Sequence, residues 1–122
     1  MDLKWQFTND KPIYHQITEQ IKEMIVSGAL APGDRVPTVR EISESASVNP
    51  NTVQKAFAEL EETGLIHTYS TAGRFVTKSK PVIAATRREI IDDVVAEFMR
   101  EMKLYGYTKE EIAQIITEYE EI

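Results

Sequence analysis

The run Asn49-Pro50-Asn51-Thr52-Val53-Gln54-Lys55 gathers side chains suited to recognition rather than bond-making. Asn and Gln each carry a donor and an acceptor, so Asn49, Asn51 and Gln54 can pair with a base edge, notably adenine N6 and N7. Lys55 can neutralise a phosphate, and a helix that starts here would point its free amide groups at phosphate oxygens. The same residues also suit a plainer role, because Asn is a preferred helix cap. Upstream stand Arg35, Thr38 and Arg40. Downstream stand Gly73, Arg74, Lys78 and Lys80, and the stretch from His67 to Lys80 contains no acid.

Other chemistries find little support. There is no cysteine, hence no disulfide, thiolate nucleophile or Cys-based zinc site. His15 and His67 are far apart, and no paired acid, nucleophile elbow or phosphate loop accompanies them. Neither an enzyme, nor a metal, nor any other cofactor is expected. The N-terminus shows no charged start followed by an apolar run, and no stretch nears the ~20 apolar residues of a membrane span. A cytoplasmic protein is the expectation.

The elements that must position these residues follow from spacing. Leu3, Trp5 and Phe7 alternate with polar residues and predict a short strand. Pro12 suits a helix start, and Ile13, Ile17, Ile21, Met24 and Ile25 recur at helical spacing until Gly28. Ala31-Pro32-Gly33-Asp34 reads as a turn. Thr38 with Glu41 forms a capping box for a helix of little more than two turns, carrying Val39, Ile42 and Ala46. Asn49-Pro50 opens a further helix, which buries Val53, Ala56, Phe57 and Leu60 and stops at Gly64. Residues 65–69 and 74–78 read as a β-hairpin around Ser70-Thr71-Ala72-Gly73. The polar Lys78-Ser79-Lys80-Pro81 is the expected hinge, dividing the chain into 1–80 and 81–122. Beyond it come two helices, the second with a capping box at Thr108 and Glu111.

The predicted fold is mainly α with a small β-hairpin, in the order of a winged helix-turn-helix followed by a two-helix arm. In that layout the helix after Asn49 enters the major groove and the hairpin is the wing. The candidate DNA contacts are therefore Arg35, Thr38, Arg40, Asn49, Asn51, Thr52, Gln54, Lys55, Gly73 and Arg74. A plainer reading of the wing cations is a solvated edge strand, since Lys protects exposed edges. Arg35 either reaches DNA or pairs weakly with Asp34 or Glu41.

Several spaced motifs then agree with one another. Pro12-Ile13-Tyr14-His15-Gln16-Ile17, the stretch from Gly28 to Glu41, Val48-Asn49-Pro50-Asn51-Thr52-Val53 and Leu60-Glu61-Glu62-Thr63-Gly64-Leu65-Ile66 resemble the GntR family of bacterial transcription regulators, over about residues 10–78. The Val-Asn-Pro-Asn-Thr-Val string and the short C-terminal part resemble its YtrA subfamily, which carries only two C-terminal helices. The resemblance implies a phosphate- or base-contacting role for Arg40, contacts at the start of the recognition helix for Asn51 and Thr52, and a wing tip at Gly73 that reaches the minor groove. The chain departs from the family pattern at Pro50 and Gln54, where many members have Arg, at Ser47, where the turn usually has Gly, and at Thr71, where the wing often has its first Gly. Fewer Arg contacts imply a shallower salt dependence of binding.

The net charge of −6 is unevenly spread. Residues 1–80 carry nine basic and ten acidic groups, while 81–122 carry five and ten. The acidic arm will not bind DNA. Its apolar stripe of Ile90, Ile91, Val94, Val95, Phe98 and Met99 either packs onto the first helix or forms a two-fold interface, and helix-turn-helix readers commonly need a dimer to span two half-sites. The function expected is a sequence-specific, homodimeric repressor of its own operon, released by a small-molecule effector. The competing reading is a winged-helix protein–protein adaptor without DNA binding.

Overall fold

A computed structural model describes residues 3–121. Helix α1 runs over Ile13–Val26, α2 over Val39–Ala46 and α3 over Pro50–Glu62. Strand β1 (Ile66–Tyr69) and strand β2 (Gly73–Val76) follow, joined by a single 3₁₀ turn at Ser70–Ala72. Helix α4 spans Lys80–Leu104 and α5 spans Lys109–Glu118. Met1, Asp2 and Ile122 lie outside the described residues, and the N-terminal reading at Met1 and Asp2 falls there with them.

The local signals explain the helix ends. Pro12 precedes α1, and Gly28 just past its end has φ +86°, the left-handed region that glycine enters without a Cβ penalty. Thr38 caps α2 in a complete capping box with Glu41. Asn49 caps α3, its side chain accepting the Asn51 amide hydrogen, with Pro50 at the first helical position.

Amphipathic stripes of α1, α2 and α3 meet in one core. Ile17, Ile21, Ile42, Val53, Phe57, Leu60, Leu65, Ile66 and Val76 are all buried there. Each such side chain contributes about 1.5–3 kcal/mol by leaving water. Ile83 of α4 joins the same cluster. That burial shifts the compact boundary from the expected hinge at 80 into α4, giving units Met1–Arg87 and Arg88–Ile122.

The predicted strand at Leu3, Trp5 and Phe7 is absent. A strand needs a partner, and here the backbone is satisfied by glutamine side chains of α1 instead. Gln6 N–H donates to Gln20 Oε1 (3.1 Å) and Gln20 Nε2 donates to the Gln6 carbonyl (2.7 Å). Thr8 N–H donates to Gln16 Oε1 (2.8 Å) in the same manner. The alternating side chains still face inward against the core, and Trp5 Nε1 donates to Ser45 Oγ of α2 (2.9 Å).

The hairpin is antiparallel, with Ile66 opposite Val76, His67 opposite Phe75, Thr68 opposite Arg74 and Tyr69 opposite Gly73. Its second strand is also covered on the far edge. Val36 N–H donates to the Arg74 carbonyl (2.8 Å), Val76 N–H donates to the Asp34 carbonyl (2.8 Å), and Arg35 bridges Phe75. Pairing that edge removes a site where another chain could add. The whole first unit is a winged helix-turn-helix.

In the second unit Gly106 (φ +87°) ends the α4 pattern and Thr108 with Glu111 caps α5 in a second capping box. Ile112 is buried, whereas Ile91, Val94, Val95, Ile115 and Ile116 are exposed.

Candidate nucleic-acid interface

The start of α3 presents Asn49, Asn51, Gln54 and Lys55 to solvent, with Thr52 half-buried beside them. This face exists because the opposite one, Val53, Ala56, Phe57 and Leu60, is consumed by the core. Asn49 uses its Oδ1 as the cap on the Asn51 amide (2.8 Å), so its remaining recognition capacity is its NH₂. Thr38 is likewise a cap: its hydroxyl accepts from Glu41 N–H, and Glu41 Oε1 accepts from Thr38 N–H, both at 3.1 Å. The Thr38 backbone N–H donated to it, and after that the nearby Thr38 hydroxyl, hold the Glu41 carboxyl below the usual carboxylate range.

Two long side chains of α3 are braced from opposite sides. Lys55 Nζ sits 3.9 Å from the centroid of the Tyr14 ring, on the first turn of α1. An open groove of about 360 Å³ runs between Ile13, Tyr14, Asn51, Thr52 and Lys55. On the wing side, Gln54 Oε1 accepts from an Arg74 terminal nitrogen (3.3 Å). Arg74 Nε donates to Glu61 Oε1 (3.0 Å), and its guanidinium lies 4.7 Å from the Phe57 ring centroid. Glu61 also accepts from the Thr68 hydroxyl (2.5 Å). That bond, followed by Arg74, keeps the Glu61 carboxyl below its ordinary range. The positive wing read from sequence is thus reduced, since the Arg74 charge is answered by Glu61.

Arg35 and Gly73 come together. A Cβ on Gly73 would sit 3.1 Å from Arg35 Nε, and Gly73 has φ +102°, so a bare glycine lets the guanidinium lie over the wing. Among the described residues no carboxylate lies within ion-pair distance of Arg35. Asp34 instead accepts the Ala31 amide hydrogen (2.8 Å). Arg40 is exposed and pairs along its own helix with Glu44 (3.0 Å). Exposed pairs of this kind contribute about 0.3–0.5 kcal/mol and are easily exchanged for a phosphate. Tyr14, Glu61 and Thr68 escaped the sequence reading. Tyr14 had one signal, an aromatic residue at a polar helix start, while the partners of Arg74 lie up to 20 residues away in sequence.

Residues 13–76 match the profile of the bacterial regulatory proteins, gntR family. The chain belongs to the GntR family. It is 33% identical over 108 residues to the HTH-type transcriptional repressor YtrA of Bacillus subtilis, covering 88% of this chain and 83% of that one. That match runs past the family's winged helix and places this GntR chain in the YtrA subfamily. A GntR family transcriptional regulator from Listeria monocytogenes superposes with a TM-score of 0.82 at 38% identity, covering 93% of this chain and all of that one. The DNA-binding domain of AraR, solved in complex with operator ORX1, superposes at 0.58 with 28% identity, covering 63% of this chain and 99% of that one. The family comprises regulators, not enzymes. Ser47, standing where the GntR turn usually has Gly, does adopt φ +56°, a left-handed conformation that costs a non-glycine residue about 1–2 kcal/mol. Among the described residues no helix is long and apolar enough to cross a membrane.

Proposed function

We propose that this GntR chain acts in the cytoplasm as a homodimeric repressor that binds an operator in its own control region. The exposed polar row at the start of α3, set on a core that fixes its direction, is the observation that carries the reading. In this proposal α3 lies in the major groove, Asn51, Thr52 and Gln54 meet base edges, and Arg35, Arg40 and Lys55 meet phosphates. The apolar residues from Ile90 to Met99 form the two-fold interface, and a small-molecule effector releases the operator. The AraR domain, solved on its operator, lends support through its likeness in fold.

Fluorescence-anisotropy titration with DNA from the chain's own control region tests the reading. Selective binding is expected, and with three phosphate-facing cations in each protomer the log–log salt slope should be on the order of −5. Equal affinity for that DNA and for a scrambled duplex would overturn it.

A further inference from the structure

Arg74 is the best-anchored cation near the α3 face. Its Nε is fixed by Glu61 (3.0 Å), its plane by the Phe57 ring (4.7 Å), and Glu61 itself by the Thr68 hydroxyl (2.5 Å). The guanidinium is half-buried, with 27% of its side chain exposed. From that fixed position one terminal nitrogen donates to Gln54 (3.3 Å). A guanidinium has donors and no acceptor, so the Gln54 atom that faces it must be the carbonyl oxygen. The Gln54 NH₂ is left pointing away from Arg74. A free, exposed glutamine could turn its amide either way and offer the bidentate donor–acceptor pattern that suits adenine.

We propose that Arg74 is a positioning residue for base readout, holding the Gln54 amide so that its NH₂ is offered to the groove. The base it reads best is then one that presents only acceptors in the major groove, guanine through O6 and N7 or thymine through O4, whereas adenine sets its N6 donor beside N7. Cytosine, whose N4 amino group is a donor, is the base it rejects most strongly. This rests on the operator-binding reading above and adds the chemistry of one base position to it.

The test is operator selection from a randomised duplex library with the full chain, followed by binding to four operators that differ only at the base facing Gln54. Gln54→Ala identifies that position, as the one whose preference it abolishes. Arg74→Met should lower discrimination against cytosine there about tenfold, leaving other positions and the salt slope unchanged. In the Gln54→Ala background the same Arg74→Met change should have no further effect on base preference. If Arg74→Met melts the fold by circular dichroism, Arg74→Lys carries the test, because a lysine can hold Glu61 but has no fork with which to hold Gln54 as well.

Undiminished discrimination in the Arg74 variant would overturn the proposal. So would a further loss of preference in the Gln54→Ala background, which would make Arg74 a direct base contact. A uniform loss of affinity with a salt slope smaller by about one would make it a phosphate contact, and equally overturn it. Failure of the wild-type chain to select any sequence would defeat the operator reading and this proposal together.

Discussion

Up to Arg87 the helices and hairpin bury a central set of large apolar side chains, with Phe57, Ile17, Ile21, Ile42 and Leu60 at 1% exposure or less, while Tyr69 on the wing stays exposed. From Arg88 onward only Ile112 is buried among the described large apolar residues, and Val94 remains 59% exposed, Val95 50% and Ile91 48%. The two regions differ in what surrounds their stripes. In the first, three helices, a hairpin and the N-terminal segment pack into one shared core. In the second, two consecutive helices supply few neighbours. Contiguous exposed apolar surface of this kind marks an interaction face. The first region is thus complete as a fold, and we propose that the exposed apolar face of the second meets a second copy of the chain.

The sharpest way to break this comparison is to truncate one aromatic in each region. Phe57→Ala should cost about 3–5 kcal/mol, read as a large drop in the urea midpoint, and DNA binding should fall with the folded fraction. Phe98→Ala should barely move the unfolding of a dilute sample and should instead weaken self-association. Equal losses in both variants would contradict the division.

A charge placed in the second region gives the next largest effect. Val94→Glu buries a carboxylate in the proposed interface, so sedimentation should show monomers. Operator affinity should fall about 100-fold, because binding of the second half-site is no longer intramolecular. A Val94→Glu chain that stays dimeric would move the interface elsewhere. The corresponding change on the reading surface is smaller. Asn51→Ala should weaken operator binding by about 1–3 kcal/mol with the urea midpoint unchanged, as Asn51 is exposed and donates to the Asn49 cap only through its backbone. A Kd within twofold of wild type would remove Asn51 from the contacts.

What could be read in advance follows the range of each interaction. Thr38 with Glu41 and Asn49 with Pro50 were legible because a cap involves residues at most three apart. The stripe of Val53, Ala56, Phe57 and Leu60 was legible because helical period and burial agree. Leu3, Trp5 and Phe7 misled for a physical reason: alternation reports which side chains face inward, and says nothing about whether a second strand is there to pair. The bridge from Arg35 to Phe75 involves a single residue and leaves no periodic trace. At the interface, the polar start of α3 was visible, but the state of its side chains was not. The hold of Arg74 on Gln54, the answer of Glu61 to Arg74 and the seat of Lys55 on Tyr14 all join elements distant in sequence. They exist only once the core has set the wing and α1 beside α3. The division at Arg87 rather than residue 80 has the same origin, because a hinge-like composition cannot reveal that Ile83 completes the core next door.

The two capping boxes offer the finest test, since the same four-residue device occurs once in each region. Thr38→Ala and Thr108→Ala each remove the hydroxyl that accepts the amide hydrogen of the glutamate three residues on (3.1 and 3.2 Å). Each should cost about 1 kcal/mol of helix stability. In the first region that loss should appear in the cooperative unfolding midpoint, as α2 is held by the shared core. In the second it should appear as faster amide exchange confined to α5. Both boxes are also sensitive to pH. The carboxyls of Glu41 and Glu111 are held below the usual range chiefly by the backbone N–H of their cap residues, then by the cap hydroxyls. A carboxyl with a depressed folded-state pKa contributes stability above its unfolded value of about 4.3, and that contribution is lost as pH falls through the folded value. Glu41→Gln should therefore be less stable than wild type at neutral pH, with the gap closing as the pH is lowered past 4.3 and on below the folded-state pKa. Glu111→Gln should show the same closure in the exchange of α5 alone. A gap for Glu41→Gln that stays constant across that range would mean that the neutral amide is limited by geometry rather than by charge.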